Sequence, residues 1–364
     1  MNNKQKVFLA CLIGFFAFQT TQAQLKDIGT MISGSQQDAE KLFSAYLKPY
    51  SKAFGADLNG GWYNTAKTHK LGGFDLTLSV SAAMVPSADK TFNVSDLNLQ
   101  GSPVITGNAA PTVAGDKVAG PLLSYQTTVG GTSYTYAKFN TPKGTGVGII
   151  PAPMLQLGIG LIKETDVTIR YMPNLTVGDY GGLSMWGVGV KHSIKQWIPG
   201  IKYAPFFHLS FFGGYTQLKT NANINFAPDF YVTNLGATKG TLVKDYSNQQ
   251  MDMNVNGFTA NILASFDLPI ITLYGGVGFS STSTSLKLKG NYPMAGMEGT
   301  TLVVDDKYAK TDPISINMKS SDGSATKPRL NAGVKFKFAI ITLHFDYTLA
   351  NYSVVTAGLG ISFR

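Results

Sequence analysis

The sequence is short of cysteine, of charge and of long apolar runs, and each shortage removes a class of protein. Its single cysteine, Cys11, lies in an apolar stretch near the N-terminus. The rest of the chain therefore has no disulfide framework and no thiol chemistry. Charged residues make up only 14%, against about 25% in typical soluble domains. After the N-terminus no run approaches the roughly 18 apolar residues of a membrane-spanning helix, which excludes helical spans. His69, His192, His208 and His344 stand at no metal-ligand spacing such as i, i+4. There is no Gly-x-Ser-x-Gly, and no helix start follows Gly187-Val188-Gly189 or Gly358-Leu359-Gly360. These absences predict no cofactor, no metal, no nucleic-acid partner and no enzyme. A hydrolase of envelope lipids, assembled from His208 or His344 with a strand serine, is the one catalytic alternative.

What is present is a period of two. Toward the C-terminus, Leu330, Ala332, Val334, Phe336 and Phe338 alternate with Asn331, Gly333, Lys335 and Lys337. Ile341, Leu343, Phe345 and Tyr347 then alternate with Thr342, His344, Asp346 and Thr348, and Val355 to Phe363 repeats the pattern. Such runs are strands with one apolar and one polar or small face. In a soluble sandwich the apolar face points inward; in an outer-membrane barrel it meets lipid. Phe74 to Met84 is the clearest strand, with 11 residues, and matches the roughly 9–11 needed to cross a bilayer at a tilt. A hairpin spans Leu155 to Tyr171 about the polar turn Lys163 to Asp166. Further strands are expected at Trp186 to Val190, Phe207 to Tyr215, Phe258 to Leu268 and Ile271 to Phe279. Between them, Leu97 to Gly148, Thr220 to Met251 and Leu286 to Lys327 read as long loops, with a strand near Tyr134 to Lys138. Long loops alternating with short turns give a shared sidedness, which favours a membrane barrel over a soluble β-protein.

The polar faces nominate lumen-lining residues: Asp75, Arg170, His208, Asn261, Asp267, Lys335, Lys337, His344 and Asp346. They would line a solute path or pair with one another to stiffen a closed barrel. Between Ser35 and Phe54 the period changes to that of a helix. Leu42, Phe43, Tyr46, Leu47, Tyr50 and Phe54 form one stripe, Ser35 is the candidate N-cap, and Pro49 is expected to kink or end the first part. This helix suits a plug inside the barrel or a cap on its periplasmic side. Residues 1–23 read as a secretory signal, with Lys4 and Lys6, an apolar core and a small-residue cleavage site near Ala23. The net charge is +9; without Lys4 and Lys6 it is +7, which suits anionic lipopolysaccharide or simply well-solvated loops.

The stretches Gly61-Trp62-Tyr63-Asn64-Thr65-Ala66, Phe74-Asp75-Leu76 and Gly187 to Trp197 resemble an uncharacterised family of outer-membrane barrels from Bacteroidota. The architecture is similar, more distantly, to the FadL-type transporters of hydrophobic compounds, with Tyr63-Asn64-Thr65-Ala66 where that group carries Asn-Pro-Ala. That likeness implies an N-terminal segment inside a barrel of 14 strands, and passive admission of a small hydrophobic solute. The C-terminal Phe363, followed by Arg364, resembles the aromatic signal read by the barrel assembly machinery. The expectation is an all-β, antiparallel transmembrane barrel of about 14 strands, within a range of about 10 to 14. Its divisions are residues 1–23 (signal), 24–70 (plug or cap) and 71–364 (barrel). It would be a monomer in the bacterial outer membrane, in contact with its lipid and lipopolysaccharide. The alternative is a structural or surface-interaction barrel that transports nothing.

Overall fold

A computed structural model describes residues 30–176, 181–319 and 326–363; the signal segment and Arg364 lie outside them. Ten strands form the wall. They are β1 (Phe74–Met84), β2 (Ile149–Leu161), β3 (Thr165–Thr176), β4 (Gly181–Ser193), β5 (Phe207–Asn223), β6 (Gln250–Asp267), β7 (Ile271–Lys289), β8 (Thr326–Phe338), β9 (Ile341–Leu349) and β10 (Ser353–Phe363). Each pairs antiparallel with the next, and β1 pairs with β10 from Phe74↔Phe363 to Met84↔Ser353, closing the meander without an edge. An extra strand, Ile314–Lys319, lies on the upper part of β7 beyond the stretch that β8 covers.

The barrel is thus smaller than the expected 14 strands. The strand-like stretches at Val104–Thr106, Leu122–Val129 and Thr132–Asn140 pair with one another above the wall instead of joining it. Chain is also spent on height, since β5, β6 and β7 run for 17, 18 and 19 residues, well beyond the roughly 9–11 needed to cross a bilayer.

These long strands change character along their length. In the lower part of β6, Phe258, Ile262 and Phe266 face outward and are exposed, while Thr259, Asn261 and Ser265 are buried within. Nearer the start of β6 the sides exchange. The outward positions there are Gln250, Asp252, Asn254 and Asn256, and Met251, Met253 and Val255 turn inward onto apolar clusters. β7 does the same, with Leu273, Val277 and Phe279 outside below and Lys287 and Lys289 outside above Leu286 and Leu288. An apolar exterior over a polar interior is a lipid-facing barrel; a polar exterior over an apolar interior is a wall standing in water. The exchange marks the upper edge of the belt. Aromatic rows border it: Trp186–Tyr215 and Phe258–Phe279 above, Phe74–Phe363 and Phe206–Phe266 below. Phe258 to Phe266 covers roughly 20 Å along the normal at a tilt of about 40°.

Above the belt, the connections 85–148, 224–249 and 290–319 build a platform, which includes a short helix Asp229–Leu235. The opposite end carries the turns between β2 and β3, β6 and β7, and β8 and β9, and the connector from β4 to β5.

The other helix, α1 (Gln36–Asn59), is capped by the Ser35 side chain, which accepts from the Asp38 N–H. Of the two outcomes expected at Pro49, a kink or an end, the helix does not end there: it runs through to Asn59. The backbone bond that Pro49 forfeits is outweighed by packing on both sides of it. Leu42, Phe43, Tyr46 and Leu47 are buried beneath the platform against Val113, Leu123, Tyr125, Phe226 and Leu286. Tyr50 and Phe54 pack lower down, against a layer of Ala83, Ile150, Tyr352 and Val354. The helix is therefore not a cap at the turn end. It starts under the long loops and descends into the barrel.

Candidate functional site

From Asn59 the chain continues down the barrel interior through a series of bends, without helix or strand, and leaves at the turn end. There Leu71-Gly72-Gly73 reverses it into β1. Gly72 has φ +79°, a left-handed conformation glycine adopts without strain. Residues 36–70 therefore traverse the interior from one end to the other, and the wall holds them at four levels.

At the first level, Gly55 lies so close to β7 that an added Cβ would come within 2.2 Å of the Thr282 side chain. Beside it, the Ser51 hydroxyl donates to Thr284 Oγ1 at 2.7 Å. Met154, Met172, Met185, Leu218 and Val255 close around Leu58.

At the second level two arginines grip the helix C-terminus. Arg170 on β3, fully buried, donates to the Leu58 carbonyl at 3.0 Å, the Gly60 carbonyl at 2.7 Å and Gln156 Oε1 at 3.2 Å. Its guanidinium lies 3.6 Å from the centre of the Trp62 ring. Across the barrel, Arg329 on β8 donates to the Asn59 carbonyl, and to Thr259 and Thr348. The last carbonyls of a helix have no intrahelical partner and carry the negative end of its dipole. Here three consecutive ones receive two guanidinium groups. Neither arginine makes a salt bridge to a carboxylate among the described residues; the helix-end carbonyls are hydrogen-bond acceptors for both.

The third level is aromatic and amide. Trp62 and Tyr63 stack on Phe212, with ring centroids 5.4 Å away in each case. Gly189 and Gly214 leave the space for Trp62; a Cβ on either would meet its ring at about 3 Å. The Tyr63 hydroxyl donates to Asn331 Oδ1 at 2.8 Å, Lys335 donates to Asn64 Oδ1 at 2.9 Å, and Tyr274 donates to Asp346 at 3.2 Å. The lowest level centres on His69. Its backbone N–H donates to Asp166 Oδ1 at 2.8 Å, and its ring lies 3.0 Å from Asp166 and 3.3 Å from Asp75. Lys191 completes the cluster, 3.0 Å from Asp166.

All nine residues nominated for the lumen occupy inward positions. Arg170, Asn261, Lys335, His344 and Asp346 are buried. Asp75, His208 and Asp267 belong to the turn-end charge clusters, Asp267 lying 3.6 Å from Lys67 and 3.5 Å from His208. Lys337 is half-buried near the same end, and His344 packs against Gly358. What they face is the N-terminal segment. Phe363 is on the lipid side, its ring 5.0 Å from that of Phe74. Three contributors escaped the sequence reading: Arg329, Asp166 and Lys191; Gly60 to Lys70 fell within the expected segment 24–70, but without its individual contacts. Arg329 shares the parity of Asn331 and Lys335 and was legible on that ground. Asp166, assigned to a turn, is instead an inward position of β3.

Outside the belt, Asp89 anchors the platform to the barrel rim. Burial raises its carboxyl pKa, but hydrogen bonds from Tyr352 and from Lys52 at 2.9 Å outweigh this and hold it below the usual carboxylate value.

These features define a closed, ten-stranded barrel of the outer-membrane type, filled by its own N-terminal segment. The chain belongs to a family of unknown function (DUF6588), whose model matches residues 1–363. No curated protein matches it. Among solved structures it is similar to Ail, the attachment invasion locus protein of Yersinia pestis, at 9% identity over 81% of this chain and 99% of that chain, with a TM-score of 0.25. The translocator domain of the autotransporter NalP from Neisseria meningitidis matches at 10% identity over 81% and 89%, TM-score 0.31. The Ralstonia pickettii toluene transporter TbuX matches at 9% over 87% and 97%, TM-score 0.24. At these values the likenesses carry no argument; the barrel rests on its strand pairing.

Proposed function

We propose that the protein is a monomeric barrel of the bacterial outer membrane that is closed by its own chain and works from its outer face. In this reading it transports nothing at rest, and the platform over β4–β7 is its contact surface. The observation that supports this most directly is the continuous grip on residues 36–70. A plug in place at every level leaves no water path, whereas folded loops with their own apolar core present a fixed shape. Just above the belt, a concavity of about 640 Å³ on the outside of β4–β7 carries Lys219 and Lys287 with Asn221 and Asn254, beside Lys289, which is paired with Asp252. It is at the height of lipopolysaccharide phosphates, which lysines attract.

The test is conductance of the purified intact protein in a planar bilayer, with lipopolysaccharide retention measured in parallel. Silence with retained lipopolysaccharide, reduced in Lys219→Gln/Lys287→Gln, is the expected result. Large steady steps from the intact protein would mean an open pore and sink the proposal.

Gated, FadL-like admission of a small hydrophobic solute is the second reading. It has one observation in its favour: a cavity of about 880 Å³ between α1 and the loop 88–112, in which Pro49, Phe92 and Leu97 stand among polar and charged side chains such as Lys41, Lys48 and Asp96. An occupant there would touch the plug helix itself. Uptake of a hydrophobic dye into proteoliposomes by the intact protein separates this reading from the first.

A further inference from the structure

At the turn end, beneath the plug, the structure holds a basin of about 770 Å³ whose charged rim comes from three separate segments. The descending N-terminal stretch supplies Lys67 and Lys70, the β2–β3 turn supplies Lys163, and the β4–β5 connector supplies Lys195 and Lys202. Glu164 is the one carboxylate in the lining. Neighbouring carboxylates already have partners: Asp166 lies beside Lys191 and the His69 ring, and Asp267 beside Lys67 and the His208 ring. The rim is fixed in place rather than trailing. Lys195 donates to the Ala204 carbonyl, and the Lys202 ammonium lies 4.7 Å over the Tyr203 ring.

Around this basin the surface is aromatic and apolar. Trp197, Tyr203, Phe206, Ile162 and Leu71 are all exposed, at the lower margin of the lipid-facing belt. Exposed tryptophan and tyrosine at such a margin mark the headgroup level. Lysines converging there, their stems along apolar surface and their ammonium groups together, form an electrostatic trap for phosphate.

We propose that this basin is a binding site for a phosphate-bearing anion, with Lys163, Lys195 and Lys202 as its principal contacts and Trp197 and Tyr203 flanking the ligand's apolar part. The chemistry is shared by two sources, the headgroup of an anionic phospholipid in the adjoining leaflet and a free phosphate ester. The height of the basin against the belt rests on the membrane reading above.

The experiment is native mass spectrometry of the intact, detergent-purified protein offered phosphatidylglycerol, phosphatidylcholine or inorganic phosphate. Two proteins are compared: the parent and Lys163→Gln/Lys195→Gln/Lys202→Gln. Selective retention of phosphatidylglycerol over phosphatidylcholine, weakened about 100-fold in the triple variant, is expected from about a fivefold loss per lysine. Retention that withstands excess inorganic phosphate identifies the lipid as the source; displacement by phosphate identifies a free ester. Equal retention of both lipids, or a triple variant that behaves as the parent does, overturns the site. If the triple variant does not fold, Lys202→Gln alone, on an exposed connector, must show the fivefold loss. A protein that inserts into bilayers but does not discriminate headgroups would lose the site and keep the barrel.

Discussion

The arginine pair at the foot of α1 offers the sharpest test of how the barrel is closed. Arg170 makes two hydrogen bonds to helix-end carbonyls and Arg329 makes one. Hydrogen bonds to a charged group contribute about 1.5–3 kcal/mol each, and the guanidinium over Trp62 adds about 1–2 kcal/mol in a desolvated site. Against this stands the cost of burying two cations, several kcal/mol in real proteins. That cost remains when the plug shifts but the arginines stay in the wall, so it does not offset the grip on the plug. Releasing the helix end while the arginines stay thus costs about 4 kcal/mol or more, which is about a thousandfold in the population of a displaced plug. Arg170→Met/Arg329→Met removes that grip and keeps similar side-chain volume. The expected outcome is a barrel that still shows a folded, heat-modifiable band. Amide exchange across Leu58 to Thr65 should rise by about three orders of magnitude, and brief conductance steps should appear where the parent is silent. If exchange in that stretch is unchanged in the folded double variant, the clamp does not hold the plug.

Three further outcomes follow from the same contacts. Gly55→Ala should destabilise the protein by about 1–3 kcal/mol through overpacking against Thr282, with Thr282→Gly restoring most of it; thermal melts of the single and double variants check this. Asp166→Asn leaves Lys191 and His69 without their shared carboxylate, and should cost about 3–5 kcal/mol, seen as a lower melting temperature with increased proteolysis at Lys67 or Lys70. Asp89 has a depressed carboxyl pKa, so its contribution is present above the ordinary carboxylate value of about 3.9 and is lost as pH falls through the depressed one. Protease nicking of residues 86–148 should therefore rise on acidification below about pH 4 in the parent. In Asp89→Asn it should be raised already at neutral pH and flat across that window.

Much of the wall was legible because one physical rule governs it. β1 was read from Phe74 to Met84, and the breaks at Ala339-Ile340 and after Tyr347 separate β8, β9 and β10 as expected, because lipid on one side forces strict alternation. The reading failed where that condition changes. The expected loop ran to Met251 and the expected strand began only at Phe258, yet Gln250 to Asn256 is the upper part of β6, with Met251 and Met253 apolar on the odd positions and Phe258 and Ile262 on the even ones. The strand continues through the exchange; only the side facing water is swapped. A rule that follows one apolar parity ends the strand at that point, as it also did for Leu286 to Lys289 on β7. The overestimate of strand number has another root: the likeness to FadL-type transporters implied 14, and the strand expected near Tyr134 to Lys138 pairs above the wall rather than within it.

The plug was half legible for a related reason. The stripe Leu42 to Phe54 has helical period and announces itself, but it packs mostly under the platform. The part that closes the membrane-level interior, Gly60 to Lys70, has no period because its buried side chains meet different wall residues: Trp62 meets Arg170, Tyr63 meets Asn331, Asn64 meets Lys335 and His69 meets Asp166. Such matching has an energetic reason. A water-filled pore leaves its polar lining hydrated, whereas a plug must replace each lost water contact or incur about 1–3 kcal/mol per unsatisfied group. The replacement here is partial: Trp62 Nε1, Arg329 Nε and both ring nitrogens of His344 are buried without a hydrogen-bond partner among the described residues. Deleting Gln24 to Phe54 alone would leave that seal in place, so only a deletion that reaches Lys70 tests whether the barrel can conduct.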